Sequence, residues 1–340
     1  VFIIKYIHMF YKIIILLILV GCDKKISESK GDFNEVIIVS SLEDRNFVEP
    51  ILNDYMFDDI IYTPEPEYIY KNTWIKPEGF NYYKDYSNII IISLSDPPDK
   101  TIDSLFYYLH NDKTIDSYPI TLNDIYAKPQ NITLIKSLNQ TKLKNDLNES
   151  VDQIKYNINK NIDTLFKRRQ DLKKITLNQF IDSLTLNTFH LNLNVDSDFK
   201  VIKYDQKDNF LWIGKGAITY DNNATYQWIS FKKTNLINVE GNIELYEIFR
   251  ENIKDLDSNI ELINDYTQFE FIDKDNSSYY YQKMLYNHNL KMTGGPIIGF
   301  LLNDYEKKSS LIIYGLINAP GKSKLRLIKE LESIIKNSIF

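Results

Sequence analysis

Cysteine is almost absent: the chain of 340 residues contains one, Cys22. No intramolecular disulfide can form, and no paired thiols exist for a metal or a redox dithiol. Histidine is nearly as scarce. His8, His110, His190 and His288 are far apart, and none stands at metal-ligand spacing from another His or from the Cys, so no zinc site and no cofactor is expected. The chain lacks a GxSxG elbow, a P-loop and a GxGxxG turn. It also lacks a long basic run, and its formal net charge is -6. Nucleic acid is not expected as a partner, because phosphate neutralisation needs clustered Lys and Arg. The one basic knot, Lys167-Arg168-Arg169 with Lys173-Lys174, reads as the solvated end of a helix.

What is present describes a folded body. Hydrophobic residues make up 44% and charged residues 25%, which excludes wholesale disorder. With 25 Tyr and 18 Phe, core and sheet faces must be largely aromatic. The abundance of Asn, Ile, Lys and Tyr also follows from an AT-rich genome, so it argues for no function.

The N-terminus carries an address. Lys12 precedes an apolar run, Ile13 to Val20, followed by Gly21 and Cys22. A positive start, a short apolar stretch and a small residue before the cut form a secretory signal over residues 1–21. The run is too short for a bilayer core of about 30 Å. Leu19-Val20-Gly21-Cys22 resembles a bacterial lipobox, which implies cleavage before Cys22 and lipid (diacylglycerol and palmitate-type chains) on that residue. Two or three acyl chains anchor stably, at about 0.8 kcal/mol per buried CH₂. Val1 is an unusual first residue, and a start at Met9 gives a leader of ordinary lipoprotein form. Residues 22–33, polar and without apolar anchors, read as a flexible tether.

Residues 34–138 read as a small α/β domain. Glu35–Ser40, Asn88–Leu94 and Ile132–Ile135 are β-rich runs, with helical spacing at Phe47, Val48, Ile51, Leu52 and Tyr55 and again at Leu105, Phe106 and Leu109. Strand, helix, strand, helix, strand implies some parallel pairing. Residues 139–188 read as a long linking helix plus a short one. Leu143, Leu147, Val151, Ile154, Ile158, Ile162 and Leu165 form a stripe on an 11-residue repeat, which hardly drifts on a straight helix. That helix bridges two halves or lies across a sheet; a coiled coil is the alternative. Thr176-Leu177-Asn178-Gln179 fits a capping box for the short helix.

Residues 189–340 read as α+β with a mostly antiparallel sheet: strands at His190–Val195, Phe210–Ile213, Ala224–Phe231, Phe269–Ile272, Tyr279–Tyr286, Ile297–Leu302 and Leu311–Leu316, with helices at about 243–256 and 322–335. The fold class is therefore α+β with an α/β part: two sheet-and-helix halves joined by a long helix.

Three features invite a site. Gly294-Gly295-Pro296 is either a loop whose bare backbone approaches a ligand or a tight turn feeding the next strand. Trp212 and Trp228 lie in alternating strands and either pack in the sheet or form a ligand platform. Tyr279 and Tyr281, in an aromatic run with Tyr280 and Tyr286, must share two faces, so that an aromatic surface for a glycan or protein partner can arise. Asp103-Ser104-Leu105, Asp163-Thr164-Leu165 and Asp182-Ser183-Leu184 resemble short O-glycosylation acceptors, although all three fall in helical stretches.

Four short motifs occur in order: Gly31-Asp32-Phe33-Asn34-Glu35-Val36, Asp208-Asn209-Phe210-Leu211-Trp212, Met292-Thr293-Gly294-Gly295-Pro296 and Asn318-Ala319-Pro320. With the lipobox and the length, they resemble the domain-of-unknown-function family numbered 4837, lipoproteins of Bacteroidota. The C-terminal half is also similar in strand order to PsbP-like domains. The resemblance implies an address and an architecture, and no activity. It implies an outer-membrane anchor, and because Lys24 and Lys25 follow Asp23 where surface export looks for acidic residues, the periplasmic side. The expected function is that of a non-enzymatic cell-envelope lipoprotein binding a ligand or a protein. The alternatives are an envelope hydrolase whose site is assembled from distant residues, and a structural spacer.

Overall fold

The computed structural model describes residues 26–95, 99–110, 119–172, 177–216, 225–274, 277–291 and 293–339. In chain order its elements are β1 (Ser27–Glu28), β2 (Glu35–Val39), α1 (Leu42–Leu52), β3 (Ile60–Ile61), β4 (Glu67–Tyr68), β5 (Lys71–Ile75), α2 (Phe80–Tyr83), β6 (Asn88–Leu94), α3 (Lys100–His110), β7 (Ile120–Asn123), β8 (Ala127–Lys128), β9 (Asn131–Ser137) and α4 (Gln140–Leu172). There follow α5 (Gln179–Phe189), β10 (Lys200–Asp205), β11 (Phe210–Gly216), β12 (Tyr226–Asn235), α6 (Asn242–Asn252), β13 (Ile260–Lys274), β14 (Ser277–His288), β15 (Thr293–Asp304), β16 (Ser309–Asn318) and α7 (Leu325–Ile339). They divide into two compact units: residues up to Asn46 with Thr73–Ser150, and Phe47–Asn72 with Val151 onward.

The first unit is built on a five-stranded sheet in the order β5-β2-β6-β9-β7. β2 and β9 both run parallel to β6, as the strand–helix–strand pattern predicts, while the edge strand β7 is antiparallel to β9. All seven residues of β6 are buried. A parallel strand covered on both faces has no polar side to show, which is why Ile89–Ile92 is an unbroken apolar run. Ile102 and Phe106 of α3 pack on Ile37, Ile89, Ile91 and Leu134. Ser41 caps α1 by accepting the Asp44 N–H, and the buried Asp44 carboxylate accepts the Leu94 N–H at 3.0 Å.

The expected tether is a correction. From Ser27 the chain is ordered: β1 pairs with β8 in parallel, and Lys30 both donates its backbone N–H to the Asp85 carbonyl at 2.9 Å and pairs its ammonium with the Asp85 carboxylate at 3.2 Å. Polar residues hold it through backbone pairing, which composition does not report.

α4 spans 33 residues, about 50 Å at 1.5 Å per residue. Six of the seven stripe residues, Leu143, Leu147, Ile154, Ile158, Ile162 and Leu165, are buried within the chain, so no coiled-coil partner is needed to cover them. α5 starts two residues later than the capping box implies: Asn178, and not Thr176, is the cap, its Oδ1 accepting the Ile181 N–H at 3.1 Å. Thr176 lies outside the described residues.

The second unit carries a seven-stranded sheet in the order β10-β11-β12-β16-β15-β14-β13, with every neighbouring pair antiparallel. One face packs on α6 and the turn after it: Leu245, Tyr246 and Phe249, with Ile253, meet Met284, Tyr286, Ile297, Leu301, Ile312 and Tyr314. The other packs on α7, which buries Leu325, Ile328, Leu331, Ile334 and Ile335. Each such side chain contributes about 1.5–3 kcal/mol. His190–Val195 is a second correction. Leu191, Leu193 and Val195 are buried in alternation, as predicted, but the segment joins no ladder: the Val195 carbonyl accepts the Asn178 N–H and its N–H turns back to Leu193.

Candidate functional site

Strand alternation assigns the second sheet's faces. Tyr281 and Lys283 of β14 contact Glu332 of α7, so Leu285 and Asn287 lie on the same face. The ladder places Ile263 of β13 opposite Leu285, and Glu261 and Gly294 of β15 on either side of Asn287. Beyond the start of α7 this face is left uncovered, and a cleft of about 660 Å³ opens there. Glu261, Ile263, Leu285, Asn287 and Gly294 form its floor. Pro320, Gly321 and Lys324, between β16 and α7, form one wall, and Pro64 and Glu65 form another.

Glu67 fixes that second wall. One carboxylate oxygen accepts the Lys324 N–H at 2.7 Å; the other accepts the Ser323 hydroxyl at 2.6 Å and the Leu325 N–H at 3.2 Å. An anion at a helix start satisfies otherwise free N–H groups and sits favourably on the helix dipole. The strand pair β3–β4, which carries Pro64 and Glu65 between its strands, is thereby clipped to α7.

Tyr286 lies behind the floor, on the face that packs on α6. Its hydroxyl donates to the Ile317 carbonyl at 3.4 Å and meets the Tyr226 hydroxyl. Burial, then the neighbouring Tyr226, pushes the Tyr286 phenol far above its ordinary value, so it stays protonated. Lys324 is 4% exposed. Its ammonium donates to the Lys322 carbonyl at 2.9 Å and forms no ion pair among the described residues.

A second polar centre lies under α7, away from the cleft. The Glu332 carboxylate, 2% exposed, accepts the Tyr281 hydroxyl and pairs with Lys283 and Lys329, each at 3.1 Å. Burial alone would raise this carboxyl, yet Lys283, Lys329, Lys336 and Tyr281 pull it well below the usual range. Its charges are matched within the fold, and it reads as a buried structural network.

The sequence-predicted positions distribute as follows. Cys22 lies outside the described residues, as does Met292. Gly294-Gly295-Pro296 is neither loop nor turn: it lies within β15, paired with Asn287, Tyr286 and Leu285. The glycines serve close backbone approach. A Cβ on Gly294 would sit 2.7 Å from the Tyr286 carbonyl oxygen, and one on Gly295 only 2.3 Å from that of Ile317.

The expected aromatic surface is not formed. Tyr279 is 6% exposed and Tyr281 1%, the latter turned inward by its bond to Glu332. Trp212 and Trp228 do meet, at 5.0 Å between rings, with Tyr226 stacked on Trp228 at 4.5 Å. Trp228 is 5% exposed and Trp212 is half-buried, so they pack on the sheet.

His288 has a partner the sequence did not suggest. Its Nε2 stands 3.1 Å from Asp257 Oδ2, and its Nδ1 accepts the Lys291 N–H at 3.3 Å. Both ring nitrogens are thus spent on tying the β13 and β14 ends together, with none left to activate a nucleophile. Among the described residues no three His, Cys, Asp or Glu side chains converge as metal ligands, and no helix is long and apolar enough to cross a membrane.

Of the cleft residues, Gly294, Asn318 and Pro320 belong to motifs visible in the sequence. Glu67, Glu261, Asn287 and Lys324 carried no signal, being common surface residue types that only the fold gathers. No curated protein matches the chain. Residues 178–337, from the cap of α5 to the last turn of α7, match the family described as Domain of unknown function (DUF4837), so this stretch of the chain is similar to that family.

Proposed function

We propose that this protein is a lipid-anchored component of the cell envelope, held through Cys22 and facing the periplasm, that binds a small ligand in the cleft of its C-terminal unit without transforming it. The observation that carries the reading is convergence. Residues of two motifs about 25 positions apart, Thr293 and Gly294 from one and Asn318 and Pro320 from the other, line one concavity, and that concavity mixes apolar floor with a few polar groups as ligand sites do. The lipobox supplies the address. A hydrolytic reading finds no support in the His288–Asp257 pair, whose imidazole is fully engaged.

The test is co-purification. Protein taken natively from membranes is denatured, and the released small molecules are identified by mass spectrometry. A compound bound by the wild type and lost from Asn287→Trp, which fills the floor, is expected. Equal recovery from both, or none from either, would count against the cleft as a binding site.

A further inference from the structure

Lysine is rarely buried without a negative partner, because an ammonium removed from water must recover its solvation from neighbours. The second unit obeys this rule twice. Lys329 and Lys283, both largely buried, share the Glu332 carboxylate. Lys324 breaks it. The residue is 4% exposed, yet among the described residues one backbone carbonyl is its ammonium's only acceptor, leaving two of three N–H donors without a partner there. Glu67, the carboxylate fixed at this helix start, spends its oxygens on Ser323 and two backbone N–H groups and makes no ion pair with Lys324. Lys324 forms part of the cleft wall.

Two further charges mark the same cleft. Glu65 and Glu261 are exposed and form no ion pair among the described residues. A cleft lined by one buried cation and two open carboxylates repels a polyanion, and its single cation cannot neutralise a dianion. It suits a single carboxylate on a molecule that also carries a positive charge. Asn287 adds an amide whose N–H donates to Asn289 at 3.3 Å, leaving its oxygen to accept from a ligand N–H.

We infer that the cleft takes a small zwitterion of the amino-acid or short-peptide class, its carboxylate on Lys324 and its amine toward Glu261 and Glu65. The inference rests on the cleft being the binding site proposed above and names what fills it.

Ligand-observed saturation-transfer NMR on the full chain in detergent tests it. Three pools are compared: alanyl-X dipeptides covering the twenty side chains, the same dipeptides as C-terminal amides, and the same dipeptides N-acetylated. Signal is expected from members of the first pool, at least tenfold weaker from both blocked pools, lost in Lys324→Met and retained in part in Lys324→Arg. Inorganic phosphate at equal concentration should displace none of it. The inference is overturned if no free dipeptide binds, if the amidated pool binds equally, if Lys324→Met binds as wild type, or if phosphate displaces the signal. A compound lost on Asn287→Trp that carries no carboxylate would overturn this inference while leaving the cleft as the binding site.

Discussion

Replacing Glu332 with glutamine removes the negative charge held between Lys283 and Lys329 while keeping the side chain's size. The Tyr281 hydroxyl still finds an amide oxygen. The two ammonium groups, 17% and 11% exposed at the side chain, lose their shared counter-charge at 3.1 Å each. Breaking a buried ion pair from one side costs about 3–5 kcal/mol. Glu270 and Asp163 also act on these lysines, which places the expected loss near the lower end. With a urea dependence of about 3 kcal/mol per molar for a unit of this size, the midpoint falls by about 1 M. Trp212 and Trp228, both in the second unit's sheet, report the transition by fluorescence.

The pH dependence supplies an independent check. The folded Glu332 carboxyl lies well below its ordinary 4.5, burial being outweighed by three lysines and a tyrosine hydroxyl. A depressed acid stabilises the fold above its unfolded value, and that contribution is lost as pH falls through the folded one. The gap between wild type and Glu332→Gln should be constant from about pH 5 upward and shrink steadily below 4.5. Asp44, raised by burial, shifts stability the opposite way, but it does so in both proteins and cancels. A midpoint within about 0.2 M of wild type at pH 7, or a gap that does not narrow in acid, would refute the reasoning.

Other perturbations give outcomes of different kinds. Lys324→Met should leave the stability read from urea unfolding equal or higher by about 1 kcal/mol, since it replaces a buried charge without an ionic partner among the described residues by an apolar side chain of similar length; a clear loss would mean that Lys324 is structural. Gly295→Ala should cost several kcal/mol by the same assay, because the added methyl would lie 2.3 Å from a backbone oxygen; a change under about 0.5 kcal/mol would show that the strands yield freely. Asn178→Ala should cost about 1 kcal/mol through the lost cap of α5, and hydrogen exchange at Ile181 should rise with it. Cys22→Ala should move the protein from the membrane fraction to the soluble one on cell fractionation, and unchanged partitioning would remove the lipid anchor.

Much of the architecture was legible because burial leaves a periodic trace. The seven apolar positions of α4 mark one helical face, and the Ile run of β6 marks a strand covered on both sides. Where backbone pairing does the holding, the trace vanishes. β1 is Ser27-Glu28, β5 begins Lys71-Asn72-Thr73, and β10 reads Lys-Val-Ile-Lys-Tyr-Asp with no buried residue. Conversely, Leu191, Leu193 and Val195 alternate as a strand does, yet bury their side chains without a ladder partner. Period two reports which side chains face inward, and hydrogen bonding is a separate fact.

The glycine motif shows why the cleft was only half visible. Two glycines before a proline ordinarily signal a turn, since turns are where positive φ is needed. Here neither Gly294 nor Gly295 has a positive φ. What excludes a side chain is contact with another strand's carbonyl, from Tyr286 in one case and Ile317 in the other. That packing requirement draws the ends of β14, β15 and β16 together. Residues 318–324 must leave β16 at this point to begin α7, so they rise beside Gly294 and wall the space above it. The same close approach that made the motif recognisable therefore also fixes the place of the cleft. The chemistry of the cleft is set by side chains that enter from elsewhere, Glu65 by way of the Glu67 clip and Lys324 from the helix start. Nothing in their local sequence distinguishes them from the other Glu and Lys residues of the chain.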